Sequence, residues 1–215
     1  MPEATLIIIF TTSFGIALTG AMMPGPVLAL TISGAAQRGF WAGPLIVLGH
    51  AILELLLVIA LIFGLSQFIE SEFVASIIGI IGGMVLVGIG VMTVLRGRHR
   101  DVSMMEGGLN MKRSRILVLS GIVGSVSNPY WFLWWATIGI TYLLWSLELG
   151  TVGVATFFTG HILGDLSWYA LVAFAISSGK RFISDSAYRW MLIVCGVALI
   201  GLGIYFIVSG GRFLA

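Results

Sequence analysis

Ala21-Met22-Met23-Pro24-Gly25-Pro26-Val27 is the stretch on which the reading of this chain turns. It lies inside an apolar run, 4–33, that otherwise suits a membrane-spanning helix. Pro24 and Pro26 each lack a backbone N–H, and each ring crowds the carbonyl four residues back. Pro26 also pushes Gly25 out of the helical region, and Gly25 has no side chain to resist. The sequence therefore predicts a break near membrane depth. Hydrocarbon cannot satisfy the freed backbone groups, so the break must be covered by protein or line a water-filled cavity. A second break is predicted at Ser127-Asn128-Pro129-Tyr130, inside the apolar run 116–145. Two interrupted spans at matching places in two halves point to a transporter's binding site.

Composition fixes the setting. The 215 residues are 59% hydrophobic and 9% charged, and the mean hydropathy is +1.09. A soluble domain carries about 25% charged residues, so the chain is expected to be integral to a membrane. The net charge of +2, with no basic stretch interleaved with aromatics, gives no sign of a nucleic-acid partner. The single cysteine, Cys195, excludes an internal disulfide and a paired-thiol redox site. No cofactor and no enzymatic activity are expected. Met1-Pro2-Glu3 lacks the positive region of a cleavable signal, and the first run is too long for one, so it is expected to be retained as a span.

Six runs reach the roughly 20 residues that cross a bilayer: 5–33, 43–68, 73–95, 116–146, 151–177 and 187–209. The fold class expected is an all-α membrane protein of six transmembrane helices, the first and fourth broken at proline. Residues 1–95 form a first three-helix repeat, 96–115 a basic linker, and 116–215 a second repeat. The halves resemble one another. Gly49-His50-Ala51-Ile52-Leu53-Glu54 in the second span recurs as Gly160-His161-Ile162-Leu163-Gly164-Asp165 in the fifth. The glycine-rich segments 81–90 and 194–203 align as well. Three spans per half is an odd number, so the halves enter the membrane from opposite sides, as an inverted repeat. The glycines themselves are read as helix-packing residues. Ten of the eleven Lys and Arg fall in the first, third and fifth connections or directly beside them. The positive-inside rule then places those loops in the cytoplasm and both termini outside.

Chemistry is concentrated in the repeated element. A spacing of four puts His50 beside Glu54, and His161 beside Asp165, on one helix face. These are the carboxylates of the apolar runs, and an ionised group at bilayer depth needs an interior position and a partner. Three readings follow: the pairs line a cavity and handle protons or a cation; each pair is a self-satisfied structural bridge; or the two His and two acids hold a divalent metal. Asn128 offers a carbonyl and an amide at the second break, or simply a helix cap. Free N–H groups at a half-helix start favour a carboxylate and free carbonyls a cation, a combination that suits a zwitterion. Of the aromatic run Tyr130, Trp131, Phe132, Trp134 and Trp135, only Tyr130 is kept as a site candidate; the others are read as lipid-facing or interfacial. Trp168, three residues beyond Asp165, is a further candidate. The substrate-binding set is thus Pro24, Gly25, Pro26, Asn128, Pro129, Tyr130 and Trp168.

Pro24-Gly25-Pro26, the Asn128-Pro129 break, the six-span inverted layout and the length together resemble the LysE/RhtB family of amino-acid exporters, over nearly the whole chain. The resemblance implies proton- or ion-driven export of amino acids or close derivatives across the cytoplasmic membrane. Family members often carry a lysine after Asn-Pro, where this chain has Tyr130. A related branch of the superfamily includes thiol-disulfide transporters and metal exporters; the lone Cys195 argues against the first, and the His–acid pairs keep a divalent-cation exporter open. A membrane scaffold whose pairs only lock helices is the non-transporting alternative. The sequence leaves the oligomeric state open, a homodimer among the options.

Overall fold

The computed structural model describes residues 2–23, 25–64, 72–98, 111–179 and 185–214. Nine α-helices make up almost all of them: α1 Pro2–Ala21, α2 Pro26–Arg38, α3 Ala42–Ile62, α4 Glu72–Arg98, α5 Met111–Val126, α6 Pro129–Trp134, α7 Ile140–Leu147, α8 Gly150–Gly179 and α9 Asp185–Leu214. A π-helical turn, Trp135–Gly139, joins α6 to α7. There is no strand among the described residues.

The helix ends follow from local chemistry. α1 closes with Met22 N–H on the Leu18 carbonyl at 3.1 Å and Met23 N–H on that of Gly20 at 3.1 Å. Gly25 is extended (φ −149°, ψ −179°) and precedes Pro26, the first residue of α2. Proline suits that position because its missing N–H has no helical partner there. α2 stops at Gly39, whose φ of +84° favours glycine and whose N–H reaches the Ala35 carbonyl at 2.8 Å. Asn128 caps α6: its side chain accepts from the Tyr130 N–H at 3.1 Å, and Pro129 opens the helix. Pro24 and the linker residues 99–110 lie outside the described residues. α4 runs to Arg98 and α5 begins at Met111, so both helices extend into the stretch 96–115 read as linker.

Among the described residues, four helical stretches are long and apolar enough to cross a membrane: Glu3–Ala21, Ala42–Ile62, Gly150–Gly179 and Ile193–Gly211. The bent pair Ser114–Val126 and Tyr130–Leu147, turned by 68°, makes a fifth if counted as one span. The apolar part of α4, Ile80–Leu95, is shorter. Side chains such as Ile7, Leu56, Leu133, Leu171 and Tyr205 are exposed. An apolar exterior of that extent needs lipid rather than water around it. The chain is a multi-pass membrane protein.

The packing crosses between halves. α1 lies along α8, α3 along α5, and α4 along α9. Small residues permit these approaches. A Cβ at Gly83 would stand 2.5 Å from the Gly203 carbonyl, and one at Gly203 2.5 Å from that of Gly83. Gly90 and Gly196 repeat the arrangement at 2.6 and 2.7 Å. A Cβ at Gly49 would collide with the Val118 backbone, and one at Gly121 with the Ile46 backbone. α3 and α5 therefore touch backbone to backbone one residue from His50.

Candidate functional site

α3 carries His50 and Glu54, and α8 carries His161 and Asp165. Within each helix the spacing of four brings the side chains together: His50 Nε2 is 3.1 Å from Glu54 Oε1, and His161 Nε2 is 3.5 Å from Asp165 Oδ2. The helices also pair across. His50 Nε2 is 3.2 Å from Asp165 Oδ2, and His161 Nε2 is 2.9 Å from Glu54 Oε2. The four groups are thus one closed cluster rather than two separate bridges, and all are buried.

The surrounding donors hold the cluster in place. The indole N–H groups of Trp131 and Trp135 both donate to Glu54 Oε1, each at 2.8 Å. This corrects the lipid-facing reading of those tryptophans, which are 8% and 0% exposed. An indole N–H needs a partner when buried, and a carboxylate is the strongest acceptor available. Trp135 opens the π-helical turn, a device frequent at functional sites. The spacing of four between the two tryptophans, directly after Asn128-Pro129, was the signal in the sequence. Ser125 Oγ donates to the Gly121 carbonyl at 2.8 Å and lies 2.7 Å from His50 Nδ1. Its proton being used, it accepts from His50 Nδ1–H. His161 has no such partner at Nδ1. It sits instead among the rings of Trp134, Trp135 and Phe157, at 4.7, 5.9 and 6.1 Å.

The cluster forms one wall of a cavity of about 220 Å³. Gly25, Pro26, Asn128 and Tyr130 line it as well, so most of the sequence-derived candidates share one space. The two helix interruptions meet there: a Cβ at Gly25 would be 3.7 Å from Asn128 Nδ2. Pro129 and Trp168 are not among the lining residues; Pro129 starts α6 and Trp168 packs against the core beside Tyr169. Tyr169 lines the cavity in its place. The reason is helical phase, because the residue four after Asp165 returns to its face more closely than the residue three after. Ser125, Trp131, Trp134 and Tyr169 are lining residues that the sequence reading did not select.

A mixed apolar and ionisable cavity where the starts of α2 and α6 meet suits a membrane transporter. The LysE type translocator family model matches residues 18–210. The chain belongs to that family of translocators, and is not an enzyme. A protein of Bacillus subtilis (strain 168), "Putative amino acid efflux protein YcgF", is 28% identical over 200 residues, covering 92% of this chain and 94% of that protein. No solved structure matches the chain.

Proposed function

We propose that this protein exports amino acids or close derivatives across the cytoplasmic membrane, and that the His50, Glu54, His161 and Asp165 cluster couples export to the proton gradient. The observation that carries the coupling is the cross-pairing of the two helices at 2.9 and 3.2 Å around a cavity that both helix interruptions reach. A carboxylate buried with histidine partners exchanges its charge with a single proton, which is what a coupled carrier requires. Substrate sits against Gly25, Pro26, Asn128 and Tyr130. The chain-extended backbone at Gly25 and the capped end at Asn128 offer polar groups to a zwitterion. The cavity is below the 300–1,000 Å³ of drug-sized sites, as suits a small solute.

The working architecture is two inverted three-helix repeats, with 96–115 inside and both termini outside. The contacts support it. Exchanging the halves maps Gly83 onto Gly196 and Gly90 onto Gly203, and so maps the contact between Gly83 and Gly203 onto that between Gly196 and Gly90. The same exchange maps the pair His50–Asp165 onto His161–Glu54.

Inside-out vesicles carrying the protein test the reading. Labelled amino acids should accumulate when the vesicle lumen, which corresponds to the cell exterior, is made acidic, and Asp165→Asn should abolish the dependence on that gradient while the protein still inserts. Accumulation of divalent cations with none of any amino acid, or an unchanged gradient dependence in Asp165→Asn, overturns it.

A further inference from the structure

We infer that the four-residue cluster is a tetrahedral site for a divalent transition-metal cation of the zinc class. The claim concerns binding, and does not rest on amino acids being the transported substrate.

The donor positions carry the argument. His50 Nε2, His161 Nε2, Glu54 Oε2 and Asp165 Oδ2 come from two helices, and the four residues bring one ligand atom each within 4.8 Å of one another. Three separations among these four atoms are 2.9, 3.2 and 3.5 Å. Zinc–nitrogen and zinc–oxygen bonds of about 2.0–2.2 Å imply tetrahedral edges of roughly 3.3–3.6 Å. The residues are at most 7% exposed. Glu54 Oε2, His161 Nε2 and Asp165 Oδ2 have no hydrogen bond of acceptable geometry despite their short separations.

The outer partners fit the same role. Ser125 holds the Nδ1–H of His50, which leaves the Nε2 lone pair for a cation. Trp131 and Trp135 both occupy Oε1 of Glu54, which leaves Oε2 as its ligand atom. Two imidazoles with two carboxylates favour zinc and its neighbours; calcium and magnesium take six or more oxygen ligands, or near-octahedral oxygen sets.

Charge fits a divalent ion. The polar groups facing the cavity are the two acids and two histidines, Tyr169 on α8, Ser125 on α5, and Asn128, Tyr130 and the indoles of Trp131 and Trp134 after it; α1, α2 and α9 contribute no charged side chain to it. No lysine or arginine lines it among the described residues. One divalent ion matches the two buried carboxylates in charge.

Calorimetric titration of the purified full-length protein with Zn²⁺ reads stoichiometry and affinity. One ion per chain is expected. Co²⁺ in its place should give the strong visible absorption of a tetrahedral centre, and Mg²⁺ should not bind. Asp165→Asn and Glu54→Gln should each lower affinity at least tenfold, and Ser125→Ala, which removes no ligand, about 10–100-fold as an outer partner does. Wild-type protein that binds no zinc, or yields a weakly absorbing octahedral cobalt spectrum, overturns the inference, as does undiminished affinity in both acid variants. The wild-type readouts do not depend on any variant folding, and a failure of amino-acid transport leaves them untouched.

Discussion

Glu54 is held from several sides at once. Its side chain is 1% exposed, yet it receives two indole N–H groups and faces both histidines. A hydrogen bond to a charged group contributes about 1.5–3 kcal/mol, about tenfold or more in an equilibrium. Trp131→Phe and Trp135→Phe keep the ring and remove one donor each. Each is expected to slow transport about tenfold and to lower the melting temperature in detergent, with the double variant worse than either. Trp145→Phe, whose ring contacts Tyr142 rather than the cluster, is the control and should leave both near wild type. Rates from the three single variants, compared at equal expression, decide whether the indoles serve Glu54 or merely fill space. The sequence indicated that Glu54 needed a partner, and His50 was the local candidate. It did not indicate the tryptophans, because aromatic residues near a span end are usually interfacial and nothing in a linear run tells which way an interrupted helix turns.

At the scale of the element, α3 is held against α5 by the absence of side chains. A Cβ at Gly121 would collide with the Ile46 backbone and approach the amide of His50 at 3.1 Å. Overpacking of that kind costs about 1–3 kcal/mol. Gly121→Ala should therefore push the helices apart, stretch the contact between Ser125 and His50, and lower the melting temperature together with transport. Gly201→Ala is the matched control: a Cβ there meets nothing within 4 Å, and alanine is the better helix former by about 1 kcal/mol. Thermal melts of both variants check the pair; equal melting temperatures would mean that the close approach is not what fixes α3. The proline element sets a second expectation. Replacing Pro24 and Pro26 together with alanine should leave an inserted protein without transport, since continuous helix would remove the extended backbone at Gly25 that lines the cavity. Wild-type transport by that double variant would reduce the interruption to a packing feature.

For the whole molecule, orientation is the open quantity, and the distribution of charge sets the expectation. With ten of eleven basic residues in or beside alternate loops, the stretch 96–115 should be cytoplasmic and both ends of the chain external. Single cysteines introduced at Ser103 and at Ala215, in a Cys195→Ser background, provide the measurement. An impermeant thiol reagent applied to intact cells should label position 215 and spare position 103. The reverse pattern would invert the protein, and with it the assigned direction of transport.

Composition and hydrophobic length determine the class by themselves: 9% charged residues cannot solvate a chain of 215, and helices are the way to satisfy its backbone in lipid. The repeated Gly-His-x-x-x-acid element marked the four residues of the cluster, because a period of 3.6 puts positions four apart on one face whatever surrounds them. Tertiary structure alone decided that the pairs from α3 and α8 face each other, that Trp131 and Trp135 turn inward to Glu54, and that Tyr169 rather than Trp168 meets the cavity. Local periodicity fixes which residues share a face of their own helix. Which face looks inward, and onto what, depends on contacts between segments a hundred residues apart, and those contacts exist only once the helices have packed.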